Sequence, residues 1–174
     1  SFLFEGCSRL SALDLSSFDT SNVTYMVSMF KGCSKLTSLD LSGFDTSSVT
    51  SMTAMFADCS SLSTLDLSGF NTSQVTDMSN LFSFCSSLAS LDLSGLDTSE
   101  VEDMTHMFLG CSELTTLDLT SFDTSMAKSM DYMFYNCSSL KSVSLSQKFS
   151  RDGESRACAS YRSPLRRRGT RGFG

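Results

Sequence analysis

Six cysteines spaced 26 residues apart are the residues of this sequence with the widest chemical options. Stacked copies of a repeat would bring such cysteines within the Cα separation of about 4.4–6.8 Å that a disulfide needs. A ladder, however, gives each thiol two equivalent neighbours, and a free cysteine packs well as a small apolar group. We predict a core ladder of free thiols, with disulfide pairing as the alternative and no metal, because no C-x-x-C motif or neighbouring histidine completes a tetrahedral site. The ladder comprises Cys7, Cys33, Cys59, Cys85, Cys111 and Cys137.

A row of aspartates follows the same spacing and is the best candidate for a binding site. Like charges on neighbouring strands repel one another, and a cationic partner or Ca²⁺ would relieve the repulsion. The alternative is a solvated polar face in which each carboxylate is hydrogen-bonded to nearby serines and backbone. We predict a partner-binding face formed by the aspartates and the hydroxyl residues two positions before them. These are Asp14, Asp40, Asp66, Asp92 and Asp118 with Ser38, Thr64, Ser90 and Thr116.

Catalytic chemistry has little support. His106 is the one histidine, it lies at a variable position, and no nucleophile with a supporting acid can be assigned to it. Near-identical repeats also leave no unique pocket where unlike groups converge. We therefore predict a protein that is not an enzyme and needs no cofactor. A second acidic series is predicted to form local Asx-turns: Asp19, Asp45, Asp97 and Asp123, with Asn71 in the remaining copy.

The elements that position these residues follow from one unit, which reads C-S-x-L-x-x-L-D-L-S-x-F-D-T-S-x-V-T-x-M-x-x-M-F-x-x. Leu39 and Leu41 alternate with Asp40, which predicts a strand with the leucines inside. The segment 49–52 predicts a second short extended stretch, and the spacing of Met52, Met55 and Phe56 fits one helical turn.

The predicted fold is therefore a leucine-rich-repeat-like solenoid. Each 26-residue coil has one main parallel strand, a second short strand and about one helical turn.

Charge divides the chain into two segments. Residues 1–147 hold 17 acidic and 5 basic residues, whereas residues 148–174 hold 8 basic and 2 acidic residues. We predict a solenoid over 1–147, with about five and a half repeats and a truncated first repeat, and a basic, disordered tail over 148–174. Such a tail could instead bind nucleic acid or acidic membranes. No apolar run reaches the roughly 18 residues of a membrane span, so we expect none.

The unit resembles the BspA-type leucine-rich repeats of bacterial surface lipoproteins and wall-anchored proteins. The resemblance covers residues 1–147. It implies a cell-surface or secreted protein, often associated with adhesion to extracellular proteins, and it supplies no catalytic residues to carry over.

Two functions remain open at this point. The first is a monomeric binding module for an extracellular protein or glycan, with Ca²⁺ as a further candidate ligand and no nucleic acid expected at the solenoid. The second is a passive spacer that displays other domains. A hydroxyl array that binds ice is disfavoured by the central row of charges.

Overall fold

The computed structural model describes residues 2–149 and the pair 166–167. In this part of the chain the regular elements are three short strands, and no helix is present. Strand β1 spans Thr116–Leu119, β2 spans Ser142–Leu145 and β3 spans Arg166–Arg167. They form one parallel sheet in the order β1-β2-β3. Asp118 pairs with Ser144 in β2, so residues 26 apart lie side by side.

Backbone hydrogen bonds join each 26-residue unit to the next one along the chain. The Met52 N–H donates to the Asp77 carbonyl at 2.9 Å, and the Phe56 N–H donates to the Leu81 carbonyl at 3.1 Å. The same pattern recurs from Phe2 to the last full unit. Parallel bridges join the equivalent residues Tyr25, Ser51, Asp77, Asp103 and Ser129.

The segment that carries this continuous ladder of backbone hydrogen bonds is not the segment expected from the sequence. Sequence alternation favoured L-D-L as the main strand, yet among the described residues strand pairing through this position is confined to β1 with β2 and β2 with β3. Local turns use the hydrogen-bonding groups near this segment instead. The Ser42 N–H donates to Asp40 Oδ1 at 3.0 Å, and the Phe44 N–H donates to the Leu41 carbonyl at 2.9 Å. The ladder therefore follows the second extended segment and the turns after it.

The expected helical turn is replaced by consecutive turns in left-handed backbone. Ala54 has a φ of 53° and Asp58 a φ of 60°. A right-handed helix cannot include residues with such φ angles. The side chains of Met52, Met55 and Phe56 are buried as their spacing suggests, but the backbone that carries them is not helical. Equivalent positive φ angles occur at Ser28, Asn80, His106 and Tyr132, and at Gly6, Gly32, Phe84, Gly110 and Asn136.

Stacked phenylalanine rings run through the core. The ring centroids of Phe30 and Phe56 are 5.8 Å apart, and those of Phe56 and Phe82 are 5.9 Å apart, with planes within 7° of parallel. Such separations are typical of favourable aromatic pairs. Buried leucine, valine and methionine side chains surround the rings. Each unit thus covers the apolar surface of its neighbour, which it could not bury alone.

Buried threonines form a second ladder that the sequence interpretation missed. Thr46 is only 1% exposed; its hydroxyl donates to the Asn71 carbonyl at 2.9 Å and accepts from the Asn71 N–H at 2.8 Å. The side chain thereby takes the place of a backbone partner between two units. Equivalent buried threonines are Thr20, Thr72, Thr98 and Thr124.

Most of the predicted basic tail lies outside the described residues. The exceptions are β3 and the two residues that follow the predicted boundary at 147. Lys148 Nζ lies 2.7 Å from Asp123 Oδ2, and the Phe149 side chain is buried. Contact with the repeats therefore continues past residue 147, to Phe149 and, through the pairing of β3 with β2, to Arg166–Arg167.

Candidate partner-binding face

The first aspartate series lies on the surface in every unit. Asp40 is exposed between the buried side chains of Leu39 and Leu41, as the alternation in the sequence requires. The hydroxyl residues two positions earlier are also exposed. The face contains the residues Asp14, Asp40, Asp66, Asp92 and Asp118, with Ser38, Thr64, Ser90 and Thr116.

Local hydrogen bonds hold each of these carboxylates in a fixed orientation. Asp40 Oδ1 accepts from the Ser42 hydroxyl at 2.7 Å and from the Ser42 N–H at 3.0 Å. These two bonds lower the pKa of Asp40 from its usual value. The other aspartates accept from the N–H two residues later at 2.9 Å. A short turn therefore presents an ionised, oriented carboxylate in each unit.

In the part of the chain that the structure describes, Asp14, Asp40, Asp66 and Asp92 form no ion pair with a lysine or arginine. The ion pairs among the described residues involve Glu5, Glu102 and Asp123, which lie elsewhere in the unit. Repulsion between row members is also present, since the charge of Asp14 opposes the lowering of the Asp40 pKa. An incoming cation would therefore gain attraction along the row and reduce this repulsion.

Shallow grooves lie between neighbouring L-D-L segments where no backbone ladder closes the gap. One groove is lined by Asp14, Ser16, Asp40 and Ser42, together with neighbouring apolar residues and Gly43. A second is lined by Asp66, Ser68, Asp92 and Ser94. The serines that follow the aspartates thus share the grooves with them, and sequence reasoning had emphasised the preceding hydroxyl residues instead.

The cysteines contribute to packing and to contacts between units. The described ones are free thiols, five of them buried and Cys7 exposed. The Cys59 thiol donates to the Phe30 carbonyl at 3.1 Å, a bond to the preceding unit that recurs at Cys33, Cys85, Cys111 and Cys137. Burial raises the pKa of Cys59 to about 12. Such a thiol stays protonated and is a poor nucleophile and a poor metal ligand.

The remaining candidates lie in local turns or in a ring contact. His106 is partly buried, and its ring centroid lies 5.7 Å from that of Tyr132. Asp45 accepts from the Ser47 N–H at 2.9 Å in a local turn, and Asn71 does the same for Ser73 at 3.1 Å. Within the described residues, no group of three or more His, Cys, Asp or Glu side chains is arranged to hold a metal ion. The same part of the chain contains no helix suited to cross a bilayer.

Comparison with known families matches this chain in two segments. A family model described as "Mycoplasma protein of unknown function, DUF285" matches residues 1–68 and again residues 63–154. The two matched segments together cover most of the chain. Comparison with curated proteins and with solved structures gives no match.

Proposed function

Because the chain belongs to the family described as Mycoplasma protein of unknown function, DUF285, its own surface must suggest the role, and we propose a non-catalytic binding module. Its acidic L-D-L face recognises a cationic surface of an extracellular protein or glycan. The module is a leucine-rich-repeat-like solenoid that acts at the cell surface or after secretion. The location follows from the resemblance of its unit to BspA-type repeats.

Contacts between units support the solenoid architecture. Hydrogen bonds connect residues 25 or 26 positions apart through the whole repeat region, and the phenylalanine rings of successive units stack. An array of this kind is stabilised by nearest-neighbour interfaces, and it offers one long rigid surface. A rigid surface loses little conformational entropy when it binds, so evenly spaced weak contacts can add up.

The observation that carries the proposal is the set of oriented, exposed carboxylates of Asp40, Asp66 and Asp92. Within the described residues, each accepts hydrogen bonds from the turn that it caps and forms no ion pair. Complementary charge on a partner would meet several carboxylates in register. In a variant of this proposal, Ca²⁺ bridges the row and an anionic partner. A chelator would then abolish binding.

The test removes charge from the row without disturbing its turns. In the second acidic series, Asn71 Oδ1 accepts from the N–H two residues later as the aspartates do, and the L-D-L turns use the same kind of bond, so Asp→Asn substitutions should keep it. The triple variant Asp40→Asn, Asp66→Asn, Asp92→Asn should bind less tightly in a screen of immobilised extracellular-matrix proteins and glycans, with and without Ca²⁺. A matched control changes the same charge in the other series: Asp19→Asn, Asp45→Asn, Asp97→Asn.

The result separates the two candidate functions. Loss of binding in the row variant, with binding retained in the control, supports recognition by the L-D-L face. Equal binding by both variants and the unchanged chain contradicts it. In that case a passive spacer explains the chain better. The hydrogen bonds of the row would then only stabilise the local turns.

A further inference from the structure

The first coil of the array, residues 2–26, presents apolar surface that the later described coils keep covered. Leu3 is 57% exposed, whereas its copy in the next coil, Met29, is only 6% exposed. Cys7 is exposed, and its copy Cys33 is completely buried. The same contrast separates partly buried Phe4, Leu10, Phe18 and Val23 from their buried copies Phe30, Leu36, Phe44 and Val49. Apolar patches of this kind mark interaction surfaces.

The last described coil differs from the first one. Its core residues Phe134, Cys137 and Leu140 are at most 6% exposed, so its apolar surface is already covered. The end of a solenoid needs either a polar cap or a covering neighbour, because its stacking face is otherwise apolar. The first coil carries leucine, phenylalanine and cysteine where a cap would carry polar residues. Its outer face is therefore suited to a neighbour.

Backbone carbonyls of the first coil point toward the place that such a neighbour would occupy. The Phe4 N–H donates to the Met29 carbonyl at 3.0 Å, and the Lys31 carbonyl accepts from the first coil in the same way at 2.7 Å. Carbonyls at these positions thus face the preceding coil. Their copies in the first coil belong to Leu3 and Glu5, and no described residue donates to either carbonyl. An occupant of this face has to bring N–H donors.

A further pair of backbone groups at this end matches a threonine hydroxyl. In the second coil, the Asp45 N–H donates to the Thr20 hydroxyl at 2.8 Å, and the Asp45 carbonyl accepts from that hydroxyl at 2.9 Å. Asp19 is the copy of Asp45. Among the described residues, no threonine hydroxyl meets the backbone N–H or carbonyl of Asp19. The occupant that fits this end therefore also carries a threonine in register.

Side-chain contacts narrow the choice of occupant further. The Cys33 thiol donates to the Phe4 carbonyl at 3.1 Å, a bond to the preceding coil for which Cys7 has no counterpart among the described residues. The Phe4 ring has a stacked ring on one side, at 5.7 Å from Phe30, whereas Phe30 has stacked rings on both sides. The face thus has room for one more carbonyl and one more ring.

We propose that the outer face of the first coil is a docking surface whose partner is a further coil of the same 26-residue repeat. Such a coil supplies the N–H donors, the threonine hydroxyl, the carbonyl and the ring in the register that already joins the described coils. A second copy of this chain that met the first end to end would instead set carbonyl against carbonyl. Apolar contacts and backbone bonds define this surface, so it does not depend on the acidic row.

The test joins one extra coil to the full chain through a flexible tether. A copy of residues 27–52 is placed before Ser1, separated from it by about 15 glycine and serine residues, so that the coil docks only if the surface accepts it. The readout is the rate at which a thiol reagent modifies Cys7, followed by peptide mass spectrometry. Docking should cover Cys7 as the first coil covers Cys33. The rate should fall at least roughly tenfold, which corresponds to a coil docked about 90% of the time.

A matched control carries the same tether and coil, with Phe30→Asp and Leu36→Asp in the added copy alone. These changes place charge in the apolar contact, so Cys7 should react as fast as in the unextended chain. Cys59 should stay unreactive in all three proteins, which shows that the array itself is folded. Slower modification of Cys7 with the matching coil, and not with the control, supports the proposal.

Two results would overturn the proposal. The first is the same Cys7 rate with the matching coil and with the control coil, whether or not both differ from the unextended chain, because the surface would then not recognise the repeat. The second concerns the unextended chain, which should stay monomeric in analytical ultracentrifugation. A dimer that protects Cys7 would assign the surface to a second copy of the chain.

Discussion

Replacing Thr46 by valine tests the contact between two neighbouring units with almost no change in shape. Its hydroxyl both donates to the Asn71 carbonyl and accepts from the Asn71 N–H, at 2.9 and 2.8 Å. Valine removes both bonds and leaves the two backbone groups of Asn71 without these partners. Unsatisfied groups of this kind cost about 1–3 kcal/mol each when buried; because Asn71 is exposed and these bonds are only partly buried, we expect a total loss of about 2 kcal/mol.

Urea unfolding followed by far-ultraviolet circular dichroism measures this loss. With a slope of about 2 kcal/mol per molar urea, the midpoint should fall by roughly 1 M. Two controls define the cause. Thr46→Ser keeps the hydroxyl and should retain most of the stability, whereas Thr76→Val removes an exposed hydroxyl with one 3.3 Å bond and should change it by less than about 0.5 kcal/mol. Equal midpoints for Thr46→Val and Thr76→Val would refute the bridging role of the buried hydroxyl.

Three further predictions concern the core, the thiols and the charges. Phe56→Ala should destabilise the chain by about 4 kcal/mol, because its ring is fully buried between two others. In the same urea assay Phe4→Ala should reduce the free energy of unfolding clearly less, since Phe4 is only partly buried. Cys59 should resist a thiol reagent that modifies Cys7 readily. Because burial raises the Cys59 pKa to about 12, stability should decline as pH rises from about 9 toward that value, and a flat pH profile would argue against burial. The pKa of Asp123 is lowered to about 2 by its lysine partner. The free energy of unfolding that this carboxylate contributes should therefore be present above about pH 4 and be lost as pH falls toward 2. Asp123→Asn should remove this pH-dependent step.

Sequence reasoning predicted the parts of this molecule that depend on side-chain periodicity. The alternation of Leu39, Asp40 and Leu41 placed the leucines inside and the carboxylate outside, as the structure has them. Spacing of three and four residues identified Met55 and Phe56 as core side chains. Burial follows from which side chains are apolar, and a single repeat shows this directly.

Hydrogen-bonding partners were harder to predict, because they depend on neighbours 26 residues away. The role of Thr46 cannot be seen in a single unit, because only a stacked neighbour makes its hydroxyl a substitute for a backbone partner. The left-handed backbone before each cysteine did have a sequence signal, the recurrence of glycine, aspartate and asparagine at that position. Recognising it would have excluded the helical turn and marked Phe84 as an exception.

The L-D-L row offers the same oriented carboxylate in successive units and therefore suits a partner with repeated positive charge.

Stacking of successive units, with like side chains in contact, is the claim on which the whole account depends. A crystal structure of the chain measures it most directly. We expect ring centroids of successive phenylalanines from Phe4 to Phe134 to lie 5.6–6.0 Å apart, with free cysteine thiols bonded to the preceding unit. Successive phenylalanines far apart in space, or cysteines paired in disulfides, would contradict it.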